Sequence, residues 1–271
     1  VNPRVPCGLT GVGSLPFVDV EEALALAASF DVPFLPELPA FDPSEFMIPA
    51  ALRGFDAGEP DLALVERFLQ VLPQPRLVKV QMAGPTTVLA FAPGIARAVV
   101  IDWLSRRARA TLERLRAAGH TTLFMLDEPA LATHAPDGLT ELIEVIRAEG
   151  AQVGVHCCGN TDWARLLSFE LDFVSFDARL SLDALLADAR AFEAYVERGG
   201  ALAIGVIPTT PGPAFELSRL EPLKHVLSRS LLTPACGLGL HSPERAREIV
   251  TELRAAQARV RSGLAEALGD G

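Results

Sequence analysis

The residues able to do chemistry in this 271-residue chain concentrate in His156-Cys157-Cys158-Gly159-Asn160 and in one distant thiol, Cys236, within Pro234-Ala235-Cys236-Gly237. The preceding Gln152-Val153-Gly154-Val155 reads as a buried strand. Side chains alternate faces along a strand, so His156 and Cys158 project to one side and Cys157 to the other. An imidazole and a thiol on one face, joined by a third soft ligand from far along the chain, form a donor set suited to zinc. Three protein ligands leave a coordination position open, the mark of a catalytic rather than a structural zinc.

The elements that must position these groups are legible as short apolar runs alternating with segments of helical period. Strands are expected at 8–12, 33–36, 77–82, 122–126, 152–156, 173–176, 201–206 and 230–233. Helices are expected at 19–30, 61–71, 96–118, 138–149, 182–198, 214–228 and 243–268. Asp19 reads as the N-cap of the first, and Ser242-Pro243 as N-cap and first helical residue of the last. Eight strands alternating with helices predict an α/β fold, a single (β/α)8 TIM barrel forming one catalytic domain over 1–271, with an open doubly wound sheet as the alternative. Active sites of such barrels lie at the C-terminal strand ends. Gly13-Ser14, Glu37, Gly84-Pro85-Thr86-Thr87, Asp127-Glu128, His156 with Cys158, Asp177 and Cys236 all fall at expected strand ends.

Composition narrows the classes. A net charge of −10 argues against a nucleic-acid partner, whose binding rests on neutralising phosphates. The apolar stretches are short and interrupted, which predicts no membrane span. Val1-Asn2-Pro3-Arg4 does not open a secretory signal. Four cysteines, two of them adjacent, make a poor disulfide framework, so reduced thiols and a cytoplasmic location are expected.

Five segments together resemble the catalytic barrel of the uroporphyrinogen decarboxylase and cobalamin-independent methionine synthase superfamily. They are Gly11-Val12-Gly13-Ser14-Leu15-Pro16, Ala83-Gly84-Pro85-Thr86-Thr87-Val88-Leu89, Leu126-Asp127-Glu128-Pro129-Ala130-Leu131, His156-Cys157-Cys158-Gly159-Asn160 and Pro234-Ala235-Cys236-Gly237-Leu238. Their order and span match the C-terminal barrel of methionine synthase. The resemblance implies a zinc site of His156, Cys158 and Cys236, with Asp177 standing where the family has a glutamate ligand. It implies that the ammonium of an amino acid substrate meets Asp127 of the Asp127-Glu128 pair together with Glu37 or Glu45. Gly13 and Ser14 would approach the substrate carboxylate.

Two departures bear on the methyl donor. The sequence matches the catalytic half of the full-length synthases and not their folate-binding barrel, and Gly205-Val206-Ile207-Pro208-Thr209-Thr210 lacks the family's histidine. The resemblance therefore implies transfer from a methylated corrinoid, either methylcobalamin or a corrinoid protein partner, to a small-molecule thiol. Homocysteine, giving methionine, is the favoured acceptor, and coenzyme M the alternative. His156, Cys158, Cys236 and Asp127 would carry the catalysis.

Blander readings stand beside these. Cys7, Cys157, Trp103 and Trp163 suit packing. The arginines at 106, 107, 109, 114 and 116 read as a solvated helix face. His241 is a minor substrate-binding candidate. Lys79, in mid-strand, would suit a Schiff-base aldolase. Decarboxylation of an acidic tetrapyrrole and a non-catalytic zinc or corrinoid module are further alternatives.

Overall fold

The computed structural model describes residues 6–72 and 74–268, with side chains described to residue 263; Val1-Asn2-Pro3-Arg4 lies outside them. Seven parallel strands run β1 Gly8–Leu9, β2 Leu77–Ala83, β3 Thr121–Asp127, β4 Gln152–Cys157, β5 Phe173–Asp177, β6 Ala201–Ile207 and β7 Leu231–Pro234. They lie in the order β1-β7-β6-β5-β4-β3-β2. Each is nearly continuous in apolar residues because helices cover one face and the curl of the sheet encloses the other.

Strand parity divides the apolar residues into two cores. Val80, Leu126, Val155, Val174, Ile204 and Leu232 pack outward with the helices. Val32, Leu123, Met125, Phe173, Ala201, Ala203 and Leu231 fill the concave side as a separate plug. Further along the same interior faces come Gln81, Asp127, His156, Ser175 and Asp177. The plug thus forms a dry floor beneath a polar mouth.

The expected closed eight-stranded barrel is not what forms. The sheet is a curled half-barrel whose edge strands, β1 and β2, stand 11 Å apart. The segment expected as the second strand, residues 33–36, lies in this gap as isolated bridges, Phe34 with Lys79 and Glu37 with Ser14. Its chemistry explains why. Pro33 and Pro36 lack the N–H groups a ladder requires. The carbonyl of Leu35 is taken by the side chain of Gln81, whose Nε2 donates to it at 2.7 Å. Ladder bonds are local: Lys79 N donates to Pro33 O at 2.7 Å and Leu35 N to Lys79 O at 2.9 Å on the β2 side, while Val32 N donates to Leu9 O at 3.0 Å and Leu15 N to Glu37 O at 2.9 Å on the other.

Most expected helices form within a few residues, including Val20–Ala28, Arg97–Ala117, Leu139–Ala148 and Pro243–Leu268. The segment expected as one helix over 182–198 is two, Ala178–Leu186 and Ala189–Glu197, because Asp188 caps the second by accepting from Ala191 N. Within the segment 214–228, Leu217–Leu223 is 3-10 with Pro222 inside it, and only Lys224–Leu227 is α-helical. No helix among the described residues is long and apolar enough to cross a membrane.

Candidate metal centre

His156 and Cys158 leave the end of β4, and Cys236 follows β7. The sheet order places these strands far apart in the curl, yet the ligand atoms of all three residues lie within 4.8 Å of one another. His156 is buried, and its Nδ1 lies 2.9 Å from Ser175 Oγ, directly across on β5. Its Nε2 is buried and has no hydrogen-bond partner. With Nδ1–H donating to Ser175, Nε2 offers a lone pair to the two thiols, an arrangement in which the outer hydrogen bond fixes the ligating tautomer. The neighbouring Cys236 thiol and the His156 ring draw the Cys158 thiol down, while Cys236, next to that charge and desolvated, is pushed up. One nitrogen and two sulfurs, with an orphaned ring nitrogen among them, fit a tetrahedral zinc with a free position.

Cys236 is held through the opening segment of the chain. Ser14 accepts from Leu238 N through its carbonyl at 2.8 Å and from Gly239 N through Oγ at 3.1 Å. Gly237 is required between these contacts, because a Cβ there would collide with Ser14 Oγ. Gly13 lies against Gln81, and its carbonyl accepts from Glu37 N. Gly13 and Ser14 therefore join the Cys236 loop to Glu37.

The two acids of Asp127-Glu128 part company, as neighbours on a strand end must. Asp127 pairs with His156 across β3 and β4 and faces the interior. Its Oδ1 is buried without a partner. Burial pushes its carboxyl up to about 6, against the opposing pull of His156 and Lys79. Glu128 is fully buried on the other side. It accepts from Thr86 N at 3.0 Å, Thr87 N at 2.7 Å and Thr87 Oγ1 at 2.6 Å, at the N-terminus of the helix Pro85–Phe91. Its place is structural, and Gly84 leaves room for it, since a Cβ at 84 would strike the carboxylate.

Asp177 is not brought into the ligand group. Its Oδ1 accepts from Arg179 N at 2.8 Å as the N-cap of Ala178–Leu186. Glu45 is also committed elsewhere, to Arg53 at 2.5 Å. Glu37 remains available, half-buried, with its carboxyl pushed up to about 8 by burial and by Asp127 and Glu45. Lys79 is buried, and its Nζ donates to Val12 O at 2.5 Å and to Gln81 Oε1 at 2.8 Å. An amine so enclosed ties β2 to the first loop and is poorly placed for a carbonyl substrate. Cys7, Cys157, Trp103 and Trp163 belong to the outer core. His241 lines a separate groove of about 390 Å³ with Thr209, Thr210 and Arg245.

Residues missed in the sequence are Ser175, Gln81 and Arg107. Ser175 had a readable signal: it occupies the interior parity position of a strand beside the one carrying His156. Arg107, from the helix Arg97–Ala117, lines a cavity of about 40 Å³ with Glu37, Glu45, Arg53 and Gln81.

No protein-family model matches this chain, and no curated protein matches it. Among solved structures it is similar to the apo form of the 3-keto-D-glucoside 4-epimerase YcjR from E. coli, with a TM-score of 0.51 and 11% identity over 91% of this chain and 99% of that one. At that identity the likeness is one of fold alone.

Proposed function

We propose that this protein is an enzyme that moves a methyl group from a methylated corrinoid to a thiol, with homocysteine as acceptor and methionine as product. The observation that carries the reading is the His156, Cys158 and Cys236 group, with the unpartnered Nε2 of His156 among its donor atoms. Zinc held there supplies the Lewis acidity that keeps a substrate thiol ionised at neutral pH. Ser175 orients His156, and Ser14 holds the loop of Cys236. Asp127 and Glu37 turn carboxyl groups toward the same interior, and an arriving ammonium group would favour the ionised form that burial disfavours at Glu37. In the reaction the substrate sulfur forms its bond to the methyl carbon as the cobalt–carbon bond breaks. The electron pair of that bond stays on cobalt, and the thiol proton passes to solvent. Gathering both reactants in one mouth supplies the orientation term.

The test is anaerobic mixing of zinc-loaded protein with methylcobalamin, following the loss of the methyl–cobalt absorbance. Loss that depends on homocysteine, with methionine formed in equal amount, is expected. Loss only with coenzyme M would keep the chemistry and replace the acceptor. Silence with both thiols, for protein that binds zinc and is supplied with methylcobalamin or a methylated corrinoid protein, would overturn the reading.

A further inference from the structure

The four cysteines of the chain fall into two classes. Cys7 and Cys157 are fully buried in the outer core, and each thiol donates to a backbone carbonyl, Cys7 to Leu227 O at 3.1 Å and Cys157 to Gly159 O at 3.5 Å. Cys158 and Cys236 are half-buried at the polar mouth. A reagent arriving from solvent meets these two sulfurs first, and both belong to the metal centre.

Alternation along β4 decides which pair can react. Cys157 is the chain neighbour of Cys158, but its side chain leaves the opposite face and is packed with the helices. Cys236 comes from the far side of the curl, yet its sulfur lies within 4.8 Å of that of Cys158. The sulfurs of a disulfide stand about 2 Å apart, so closure asks for at most about 3 Å of approach. The ladder of β4 ends at Cys157 and that of β7 at Pro234, so strand pairing fixes neither residue. The two bonding states exclude each other. Zinc takes each sulfur as a thiolate, and a sulfur in a disulfide has no such charge to offer. Joining the pair leaves His156 as the sole donor of the group, too few to hold the ion.

We infer that Cys158 and Cys236 form a redox pair: a hydroperoxide joins them in a disulfide, zinc leaves, and reduction by a thiol restores the site. The inference rests on reading the three residues as a zinc site and not on the substrate they serve. One sulfur attacks an oxygen of the peroxide and the O–O bond breaks, giving a sulfenic acid and, with a proton from solvent, water. The second sulfur attacks the sulfenic sulfur. The S–S bond forms, the S–O bond breaks, and the departing hydroxide takes a second proton to become water. Both sulfurs are oxidised, the peroxide is reduced to two waters, and zinc passes to solvent as the divalent ion.

Treatment of zinc-loaded protein with hydrogen peroxide, beside a chromophoric chelator, tests it. One zinc ion should be released for each disulfide formed, and the intact mass of the chain should fall by two hydrogens. Alkylation in denaturant followed by digestion should recover the peptides of Cys158 and Cys236 joined, with Cys7 and Cys157 alkylated. Dithiothreitol and added zinc should restore the full metal content. Cys157→Ala should give the same yield of disulfide as wild type, and the wild-type peptide map stands without it. Zinc release with the two ligands carried on to sulfinic acids, or with Cys157 joined to either, would overturn the inference. So would zinc retained at peroxide levels that oxidise free cysteine, and in that case the metal reading stands. Protein that takes up no zinc yet forms the Cys158–Cys236 bond reversibly would remove the metal reading and leave the redox pair.

Discussion

His156 and Ser175 stand opposite each other on β4 and β5, with Nδ1 2.9 Å from Oγ, and this contact directs the buried, unpartnered Nε2 toward two thiols. The hydroxyl does for the imidazole what an outer partner does in metal sites generally: it selects the tautomer and fixes the ring plane.

Zinc should therefore bind at one ion per chain, and Cys158→Ala or Cys236→Ala should lose it while remaining folded. Ser175→Ala should bind zinc about 10-fold or more weakly, the usual scale for removing such a partner. Competition with a chromophoric chelator measures this. Equal affinity in Ser175→Ala and wild type would show that the ring is held by packing alone.

Glu128 offers the opposite case, a carboxylate whose loss should be felt in stability. It satisfies two backbone N–H groups and a hydroxyl at the start of Pro85–Phe91, and it is fully buried. Glu128→Ala should cost about 3 kcal/mol, because three donors are left without a partner. Urea unfolding followed by circular dichroism reads this. A cost under about 0.5 kcal/mol, the scale of an ordinary surface change, would remove the structural role.

These contrasts mark how far the chain could be read as a string. The interior strands were legible because each is a compact apolar run, and parity along β4 separated His156 and Cys158 from Cys157. The gap in the sheet was not, because Leu35 meets the side chain of Gln81 from 46 positions away, and only the fold brings the two together. Asp127 and Glu128 could be told apart only in part, since alternation gives opposite faces but not which face holds the site. Arg107 was invisible for a simpler reason. In a stripe of arginines, helical spacing says which residues share a side and not which one finds a cavity.

Glu37 gives a pH signature. Its folded value, about 8, lies above the ordinary 4.5 because burial, Asp127 and Glu45 disfavour its charge more than Lys79 and Arg107 support it. A carboxyl raised in this way favours the folded state while protonated. That contribution is whole below the ordinary value and is lost as pH climbs through about 8. Glu37→Gln stays neutral throughout, so the variant should match wild type near pH 4.5 and exceed it above pH 8. The gain should be on the order of 2 kcal/mol once partial hydration is allowed for. Urea midpoints at the two pH values measure the difference. A variant with the same advantage at both would mean that Glu37 is charged throughout.

The loop after β7 brings Cys236 to His156 and Cys158. Gly237 has no room for a Cβ because Ser14 Oγ occupies that space, while Ser14 itself holds Leu238 N and Gly239 N. Gly237→Ala must displace either the hydroxyl or the loop, and the loop carries the adjacent ligand. Zinc affinity should fall about 10-fold or more, with His156 and Cys158 left in place. Ser14→Ala alone removes one hydrogen bond and should cost little more than about 1 kcal/mol of stability. Combined with Gly237→Ala, it also removes the obstacle, so the double variant should bind zinc more tightly than Gly237→Ala alone. Contacts of this kind give non-additive pairs. Zinc affinities that simply add across the cycle would place the origin of the Cys236 loop geometry somewhere other than Ser14.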